Sequence, residues 1–241
     1  MTNKQSLSDI QDWNRIASNY TKISETNDHI YKMFENVLWT SLGNIQNLDI
    51  LDLGCGYGWL SKEFSNTGAN VFAVDGSKTL LQIARDRYPN IEFYEYDLIN
   101  GLPFTDQKFD RIVSNMVLMD IPELDCLFAS ISQSLKPKGK FIFTIPHPCF
   151  FNYPRQADKD TGELCKMIGR YLDDEIWRIE NFGGHNHYHR SLTYYFDVLY
   201  RNNLAVSRLY EPPQFAQPSN SRQEWFNKIP IFTLFEVITR H

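Results

Sequence analysis

Between residues 48 and 146 the chain alternates short apolar runs with amphipathic stretches, and the connections between them are short. Five runs predict strands: "LDILDLG", "NVFAVDGS", "IEFYEYD", "FDRIVSNMVL" and "GKFIFTIP". Three stretches between them have helical spacing: "WLSKEFSNTGA", "KTLLQIARDRY" and "PELDCLFASISQSL". Strands that alternate with helices form a parallel sheet with helices on both faces, so the sequence predicts an α/β, doubly wound fold.

The pattern changes on either side of this region. Residues 6–40 carry apolar positions at helical intervals, with Ser8 as the predicted N-cap, and Pro122 is predicted to start the last helix of the alternating region. After Pro146 an aromatic insertion without regular structure is predicted, followed by a helix ("SLTYYFDVLYRNNL") and two strands ("AVSRLYEP" and "IPIFTLFEVITR"). At 241 residues we expect one domain in four parts. These parts are an N-terminal helical lid (1–44), a core (45–146), a cap (147–190), and the last helix and strand pair (191–241).

Composition and charge exclude several classes of protein. The net charge of −5 disfavours a binder of duplex nucleic acid, which needs a basic face to neutralise phosphates. The polar opening "MTNKQSLSDIQDWN" does not resemble a signal peptide, and no apolar run reaches membrane-spanning length. The four cysteines are far apart and form no CxxC pair. We therefore expect reduced thiols, a cytoplasmic location and no membrane partner.

The segment "LDLGCGYG" has glycines at alternate positions where the first strand turns into a helix. Gly54, Gly56 and Gly58 follow Asp52 there, at the edge of the sheet where nucleotides bind in doubly wound folds. Glycine lets the backbone approach a ligand closely, and the helix start offers free N–H donors. The spacing is GxGxG, whereas a dinucleotide-binding turn reads GxGxxG and Trp59 is too large for its third glycine.

Two further acidic residues follow the next two predicted strands. Asp75 ends the second strand, where a carboxylate suits the two hydroxyls of an unphosphorylated ribose. Asp97 ends the third, where it can accept a hydrogen bond from an exocyclic amine such as that of adenine. Each acid alone has a second interpretation as a helix N-cap or turn residue. Together with Asp52, three acids at three successive strand ends beside a glycine turn favour a ligand site.

These motifs resemble the class I S-adenosylmethionine-dependent methyltransferases, especially their small "type 11" group. "LDLGCGYG" resembles the first motif, "VFAVDGS" the second acidic strand end, and "FYEYDLINGLPFTDQKFDRIVSNMVL" the third and fourth motifs. "SLKPKGKFIFTIP" resembles the strand that follows, and "DWNRIASNY" the N-terminal lid. The resemblance implies a mostly parallel seven-stranded sheet, Rossmann-like, whose last strand pair is antiparallel.

The resemblance also implies S-adenosyl-L-methionine as the cofactor and gives roles to residues. Gly54 and Gly56 would face its methionyl part, Asp75 the ribose and Asp97 the adenine amine. Asn115 would face the methionine end, and Tyr20 would close over the cofactor. The full set of expected cofactor-binding residues is Tyr20, Asp52, Gly54, Cys55, Gly56, Asp75, Gly76, Ser77, Asp97, Leu98 and Asn115.

Four of the six histidines lie within residues 147–200 and are candidates for proton transfer. His147 follows the fifth predicted strand at the edge that carries the glycine turn, and "HNHYHR" would present three histidines on one face if it is extended. We predict His147 first and His189 second as a catalytic base. Two alternatives stay open at this point: hydrogen-bonding loop residues, or a metal site. Methyl transfer needs no metal, and none is predicted.

The aromatic insertion favours a small-molecule acceptor, since its rings can form the walls of an acceptor site. The leading hypothesis is a methyltransferase that acts on an O, N or C atom of a small molecule by direct displacement. The alternatives are a tRNA-modifying methyltransferase, which the acidic balance disfavours, and a non-catalytic S-adenosylmethionine-binding module. A nicotinamide dehydrogenase is disfavoured by the glycine spacing. The sequence leaves open the acceptor, the methylated atom and the oligomeric state.

Overall fold

The structure, a computed structural model, describes residues 2–26, 29–215 and 217–240. Its helices are α1 (Thr2–Thr26), α2 (His29–Leu42), α3 (Trp59–Asn66), α4 (Lys78–Arg87), α5 (Asp125–Ser134), α6 (Leu192–Arg201) and α7 (Ser221–Phe226). Its strands are β1 (Asp49–Leu53), β2 (Asn70–Asp75), β3 (Glu92–Glu95), β4 (Phe109–Asn115), β5 (Leu135–Pro146), β6 (Arg155–Ala157), β7 (Leu164–Lys166), β8 (Glu175–Ile179), β9 (His185–His189), β10 (Leu204–Tyr210) and β11 (Phe232–Thr239). None of the helices in the described ranges is both long and apolar enough to cross a membrane.

Seven strands form one sheet in the order β3-β2-β1-β4-β5-β11-β10. The first five are parallel to one another, whereas β11 runs antiparallel to β5, and β10 antiparallel to β11. This confirms the predicted α/β fold, with its mostly parallel seven-stranded sheet and antiparallel last strand pair. The order reverses direction beside β1, so the carboxyl ends of β1 and β4 flank the crevice at which ligands bind in such sheets.

Helices cover the sheet on both faces, which is why three of the five residues of β1 are large and apolar. Ile50 packs with α2 and α3 on one face, and Leu51 packs with α5 and α6 on the other. Both side chains are completely buried. The central strands are therefore fixed from two sides, and the strand ends that carry the glycine turn are held on a rigid support.

Several predicted boundaries differ from the structure. Ser8 lies inside α1, which begins at Thr2, and α5 begins at Asp125, three residues after Pro122. Residues 27 and 28, within the stretch predicted to be helical, lie outside the described residues. β3 ends at Glu95, so Asp97 follows the strand by two positions.

The prediction of an irregular insertion at 147–190 is wrong, because the segment contains two antiparallel hairpins. One pairs β6 with β7 and the other pairs β8 with β9. The strands are only three to five residues long, and "HNHYH" of β9 contains no β-branched residue. Pattern alone gives a weak strand signal for such segments.

Candidate functional site

The glycine turn after β1 adopts a backbone that side chains would prevent. Gly54, Gly56 and Gly58 have φ angles of 72°, 56° and 82°, in the left-handed region that favours glycine. A Cβ atom on Gly54 would lie 2.4 Å from Cγ2 of Val117. The amides of Gly54 and Cys55 both donate to the carbonyl of Val74, at 2.8 and 3.0 Å. The turn is thereby fastened to β2 and leaves its outer side open.

The Asp75 carboxylate at the end of β2 holds the glycine turn and the next helix together. Its Oδ2 accepts from the amide of Gly56 at 2.9 Å, and its Oδ1 accepts from the amide of Ser77 at 2.7 Å. The Ser77 hydroxyl in turn caps α4. Burial raises the pKa of Asp75, whereas the hydrogen bonds from the two amides lower it, and the effect of burial is larger. The carboxylate is thus held rigidly at the crevice wall.

Asp97 lies at the next strand end and contacts the N-terminal helix. Its Oδ1 accepts from Ser6 Oγ at 2.7 Å and from the amide of Ile99 at 3.2 Å. Because Ser6 is on α1, this hydrogen bond brings the N-terminal helix directly over the strand ends. The helix forms the roof of a crevice whose floor is the glycine turn.

This crevice has an empty volume of about 690 Å³, counting the part open to solvent. Eight of the eleven expected cofactor-binding residues line it: Tyr20, Gly54, Gly56, Asp75, Gly76, Asp97, Leu98 and Asn115. The side chains of Asp52, Cys55 and Ser77 are instead buried next to it. Asp52 accepts a hydrogen bond from Ser61 Oγ at the start of α3, and burial raises its pKa to about 7. These three support the turn rather than face the opening.

The sequence predicts that the helix around Trp13 covers the crevice, but three further lining residues on α1 were missed. Ser6, Asp9 and Ile10 face the crevice from the same side of the helix as Trp13, and the side chains of Ser6 and Asp9 are buried. Their spacing of three and four positions places them on one helical face, which was the available signal. Polar residues on an otherwise apolar helical face indicate a partner opposite them. For Asp9 these partners are Asn186 and Tyr188 on β9, at 2.8 and 2.6 Å.

A second, larger cavity lies next to the crevice, with an empty volume of about 1540 Å³ including the part open to solvent. We call it the aromatic cavity, because its walls carry rings: Trp13, Tyr20, Tyr57, Trp59, Tyr88, Phe151, Phe182 and Phe232. Five residues line both spaces: Trp13, Tyr20, Asn115, Met116 and Asp120. The two spaces therefore meet at the carboxyl end of β4 under α1.

Met116 has a strained backbone at this meeting point. Its φ is 59°, an uncommon value for an unbranched residue with a long side chain. The conformation is held by hydrogen bonds from its amide to Thr144 Oγ1 and to the carbonyl of Thr144, at 3.0 and 3.1 Å. Strain of this kind costs about 1–3 kcal/mol and concentrates at functional sites.

Comparison with known proteins agrees with this geometry. The family described as "Methyltransferase domain" matches residues 51–143, which include the glycine turn and β1 through most of β5. A solved S-adenosylmethionine-dependent methyltransferase from Mesorhizobium loti superimposes with a TM-score of 0.74 at 26% identity, covering 85% of this chain and 97% of that one. Residues 51–143 are thus similar to this methyltransferase domain, and the sheet that contains them has the fold of the solved S-adenosylmethionine-dependent methyltransferase.

Two curated relatives of the chain differ in the acceptor that their names state. A malonyl-[acyl-carrier protein] O-methyltransferase of Buchnera aphidicola is 30% identical over 140 residues, 58% of this chain and 55% of the relative. A demethylmenaquinone methyltransferase of Tropheryma whipplei is 29% identical over 150 residues, 60% of this chain and 59% of the relative. The chain thus spans less than two thirds of the length of both. The glycopeptide N-methyltransferase MtfA, solved with S-adenosyl-L-methionine, shares the fold at 18% identity and a TM-score of 0.61, over 85% of this chain and 92% of that one.

The crevice fits S-adenosylmethionine, on which the Mesorhizobium loti methyltransferase depends. The turn of Gly54 and Gly56 has no side chain on the crevice side, and Asp75 and Asp97 line the same space with carboxylate oxygens that accept hydrogen bonds. When bound, the cofactor supplies an electrophilic methyl group on a sulfonium. The cationic sulfonium suits a crevice lined by the carboxylates of Asp9, Asp75 and Asp120.

Neither His147 nor His189, the two histidines predicted as bases, lines the crevice or the aromatic cavity. His147 has both ring nitrogens engaged: Nδ1 accepts from the amide of Cys149 at 3.1 Å, and Nε2 lies 2.7 Å from Glu211 Oε1. Burial lowers its pKa despite that carboxylate. His189 stacks on Trp177, and its Nε2 lies 3.0 Å from the carbonyl of Tyr171. Both imidazoles fix local structure in the cap.

The other two histidines of β9 line the aromatic cavity. His185 and His187 alternate along the strand with Asn186 and Tyr188, which contact Asp9 on α1, so the histidines share one face as the extended interpretation predicts. Burial lowers their pKa values to about 4 and about 3, so both rings are neutral at pH 7. Among the described residues no group of three or more His, Cys, Asp or Glu side chains is arranged to hold a metal ion.

Proposed function

We propose that the chain is a methyltransferase that moves the methyl group of S-adenosylmethionine to a small molecule bound in the aromatic cavity. The observation that carries this proposal is the meeting of two spaces at the carboxyl end of β4. One contains the residues expected to bind the cofactor, and the other is lined by rings. In a direct displacement the enzyme mainly aligns the acceptor with the methyl carbon, which is worth about 7–11 kcal/mol. Adjacent sites on one rigid strand end can provide that alignment.

In this proposal the crevice residues bind the cofactor along its length. Asp75 accepts hydrogen bonds from the ribose hydroxyls, and Asp97 accepts one from the adenine amine. Both existing hydrogen bonds of Asp97 fall on Oδ1, so Oδ2 can take a new donor. Gly54, Gly56 and Asn115 face the methionyl end, and Tyr20 covers it.

The N-terminal helix acts as a lid and residues 147–190 act as a cap in this proposal. The support is a set of contacts between the two segments. Arg15 donates to the carbonyls of Gly183 and Gly184 at 2.7 and 2.8 Å, and Asn19 donates to the carbonyl of Phe182 at 2.7 Å. Segments that close over a site exclude water from the reaction. Opening this contact would admit both ligands.

The acceptor is a molecule with a flat or apolar body. The walls of the aromatic cavity are mainly rings, and such pockets bury most of a small ligand against apolar side chains. Of the two acceptors that the relatives' names state, demethylmenaquinone has a ring system and agrees better with these walls than a malonyl group does.

The test measures cofactor binding first and transfer second. Calorimetry should give micromolar binding of S-adenosylmethionine and its demethylated product, and none of NAD. Incubation of the protein with methyl-labelled cofactor and a small-molecule extract of the source cells should then yield a labelled product of low mass. NAD binding without S-adenosylmethionine binding would overturn the cofactor assignment. Label found only in RNA would favour the tRNA-modifying alternative.

A further inference from the structure

Two buried polar side chains face each other where the crevice and the aromatic cavity meet. Nε2 of His185 lies 3.9 Å from Oδ1 of Asp120, and the two side chains are only 7% and 9% exposed. Within the described part of the chain, neither Nδ1 of His185 nor Oδ1 of Asp120 has a hydrogen-bond partner. Buried polar atoms nearly always have partners, so unsatisfied groups on a cavity wall indicate a polar ligand atom.

Apolar packing holds the imidazole of His185 in its position. Its ring lies 4.7 Å from the Trp13 ring and 6.0 Å from the Phe182 ring, centroid to centroid. Trp13 lines both spaces, and Phe182 lines the aromatic cavity. A ring fixed by its faces keeps its edge, which carries the nitrogens, in a defined direction. A general base that takes a proton from a bound acceptor requires such a fixed direction.

The surroundings of His185 keep it neutral. Burial is the main cause of its lowered pKa of about 4; the charge of Arg178 lowers it further, and that of Asp12 raises it. The neighbouring His187 is neutral for the same reason, with its pKa lowered to about 3. A neutral imidazole has a lone pair available at pH 7, and the ring lines the aromatic cavity beside Asp120, which also lines the crevice.

The charge of the Asp120 carboxyl group depends on whether the cofactor is bound. Burial and the carboxylates of Asp9 and Asp75 raise its pKa, and Arg190 opposes them. A cationic sulfonium in the crevice that Asp120 lines would favour the ionised carboxylate. Cofactor binding would therefore give His185 an anionic neighbour at the time when it must accept a proton.

We propose that His185 is the general base of this methyltransferase, that Asp120 is its positioning residue, and that the acceptor is a planar molecule with a phenol-type hydroxyl. This inference rests on the proposed function. The acceptor oxygen bonds to the methyl carbon, and the carbon–sulfur bond breaks with its electron pair on sulfur. The O–H proton passes to Nδ1 of His185, the ring nitrogen without a partner, while the carboxylate of Asp120 faces Nε2 and stabilises the imidazolium.

The class of acceptor follows from the chemistry of the base. A phenol hydroxyl carries a proton that must leave as the oxygen attacks, whereas a free amine needs only to enter unprotonated. A buried neutral base is therefore useful for a hydroxyl and unnecessary for an amine. The ring-lined walls fit the body of a phenol, since offset and edge contacts between aromatic rings are favourable.

The experiment uses 4-nitrophenol as the probe, because its phenol and phenolate forms absorb visible light differently. The full chain is loaded with sinefungin, an unreactive cationic analogue of S-adenosylmethionine, so that no turnover occurs. Titration with 4-nitrophenol over pH 5–9 reports the ionisation of the bound probe. Three variants are compared with the unchanged chain: His185→Phe, which keeps a packed ring, Asp120→Asn, and the control Asp173→Asn, an exposed carboxylate in the cap.

We expect the unchanged chain and Asp173→Asn to bind the probe as phenolate, with its apparent pKa about one unit below the free value. His185→Phe should abolish this shift, and Asp120→Asn should reduce it. With S-adenosylmethionine in place of sinefungin, methylation of 4-nitrophenol should fall by about 10²–10⁴-fold in His185→Phe. The spectral shift distinguishes proton transfer from a merely structural role.

Each contrary outcome has its own meaning. If the loaded chain does not bind 4-nitrophenol, or binds 4-nitroaniline more tightly, the phenol-type acceptor is overturned. If the phenolate shift persists in His185→Phe, the assignment of the base is overturned. Calorimetry of sinefungin on each variant separates these failures from that of the proposed function, since the latter would appear as loss of cofactor binding in the unchanged chain.

Discussion

The hydroxyl of Ser6 donates a hydrogen bond of 2.7 Å to Oδ1 of Asp97, joining the N-terminal helix to a strand end 91 positions later. We expect Ser6→Ala to weaken S-adenosylmethionine binding by about 0.5–1.5 kcal/mol, or roughly two- to tenfold in Kd, because the roof of the crevice loses an anchor. Calorimetry measures this. Ser8→Ala, at an exposed position on the same helix, is the matched control. Equal affinities in the two variants would show that the hydrogen bond does not contribute.

Asp75→Ala should weaken cofactor binding by about 1–3 kcal/mol, as expected when a charged hydrogen-bond partner is removed. The variant also frees the amides of Gly56 and Ser77, so the glycine turn loses part of its support. Titration with S-adenosylhomocysteine gives the affinity, and circular dichroism checks the fold. Asp86→Ala, an exposed acid on α4, serves as the control. Unchanged affinity would exclude Asp75 as the ribose ligand.

Arg15→Ala should loosen the contact between α1 and the cap, since Arg15 donates to two carbonyls of the β8–β9 connection. We expect S-adenosylmethionine to dissociate faster, by roughly tenfold for the loss of about 1.4 kcal/mol in hydrogen bonds to a charged group that is partly exposed. Stopped-flow displacement gives the rate. Lys22→Ala, exposed on the same helix, should dissociate as the unchanged chain does. If S-adenosylmethionine dissociates from Arg15→Ala as slowly as from the unchanged chain, the proposal that α1 acts as a lid is wrong.

The two neutral histidines of β9 predict a pH effect on stability. Their folded pKa values of about 4 and about 3 lie below the ordinary value of 6.5, so the unfolded chain binds more protons at low pH. Their contribution to stability is therefore complete above pH 6.5 and decreases as the pH falls towards 4. Asp52 acts in the opposite direction, because its raised folded pKa of about 7 favours the folded state as the pH falls below 7.

The histidine contribution is isolated by comparison with a double variant. Between pH 7 and pH 4.5, denaturant unfolding of the unchanged chain and of His185→Phe/His187→Phe should give a stability difference that changes with pH. Asp52 is common to both chains and cancels. As the pH falls, we expect the free energy of unfolding of the unchanged chain to decrease relative to that of the double variant. Parallel pH curves would mean that the histidines are not buried as neutral rings.

The sheet and the crevice were predictable because their signals are local. Each strand, its terminal acid and the glycine turn occupy a short segment, and the topology of a parallel sheet brings such strand ends to one edge. Gly54, Asp75 and Asp97 line one crevice for this reason. Asp52 is the informative exception: alternation along a strand turns its side chain towards α3, beneath the turn.

The choice among histidines could not be made from the sequence. All three histidines of β9 share a face of the strand, and only the docking of the hairpin on α1 decides which of them line a cavity. His147 is similar, since its partner Glu211 lies 64 positions away and carries no local signal. Which histidines line the cavity is thus determined by contacts between distant segments, and sequence patterns and motifs do not reveal such contacts.

Trp13 and Tyr20 belong to the walls of both the crevice and the aromatic cavity. A ligand in either space orders a surface that the other ligand also uses, so whichever binds first bears the entropic cost for both. Thermodynamic linkage then requires reciprocity: if the cofactor tightens acceptor binding by some factor, the acceptor tightens cofactor binding by the same factor. After transfer, loss of the methylated product should by the same linkage weaken the binding of the demethylated cofactor.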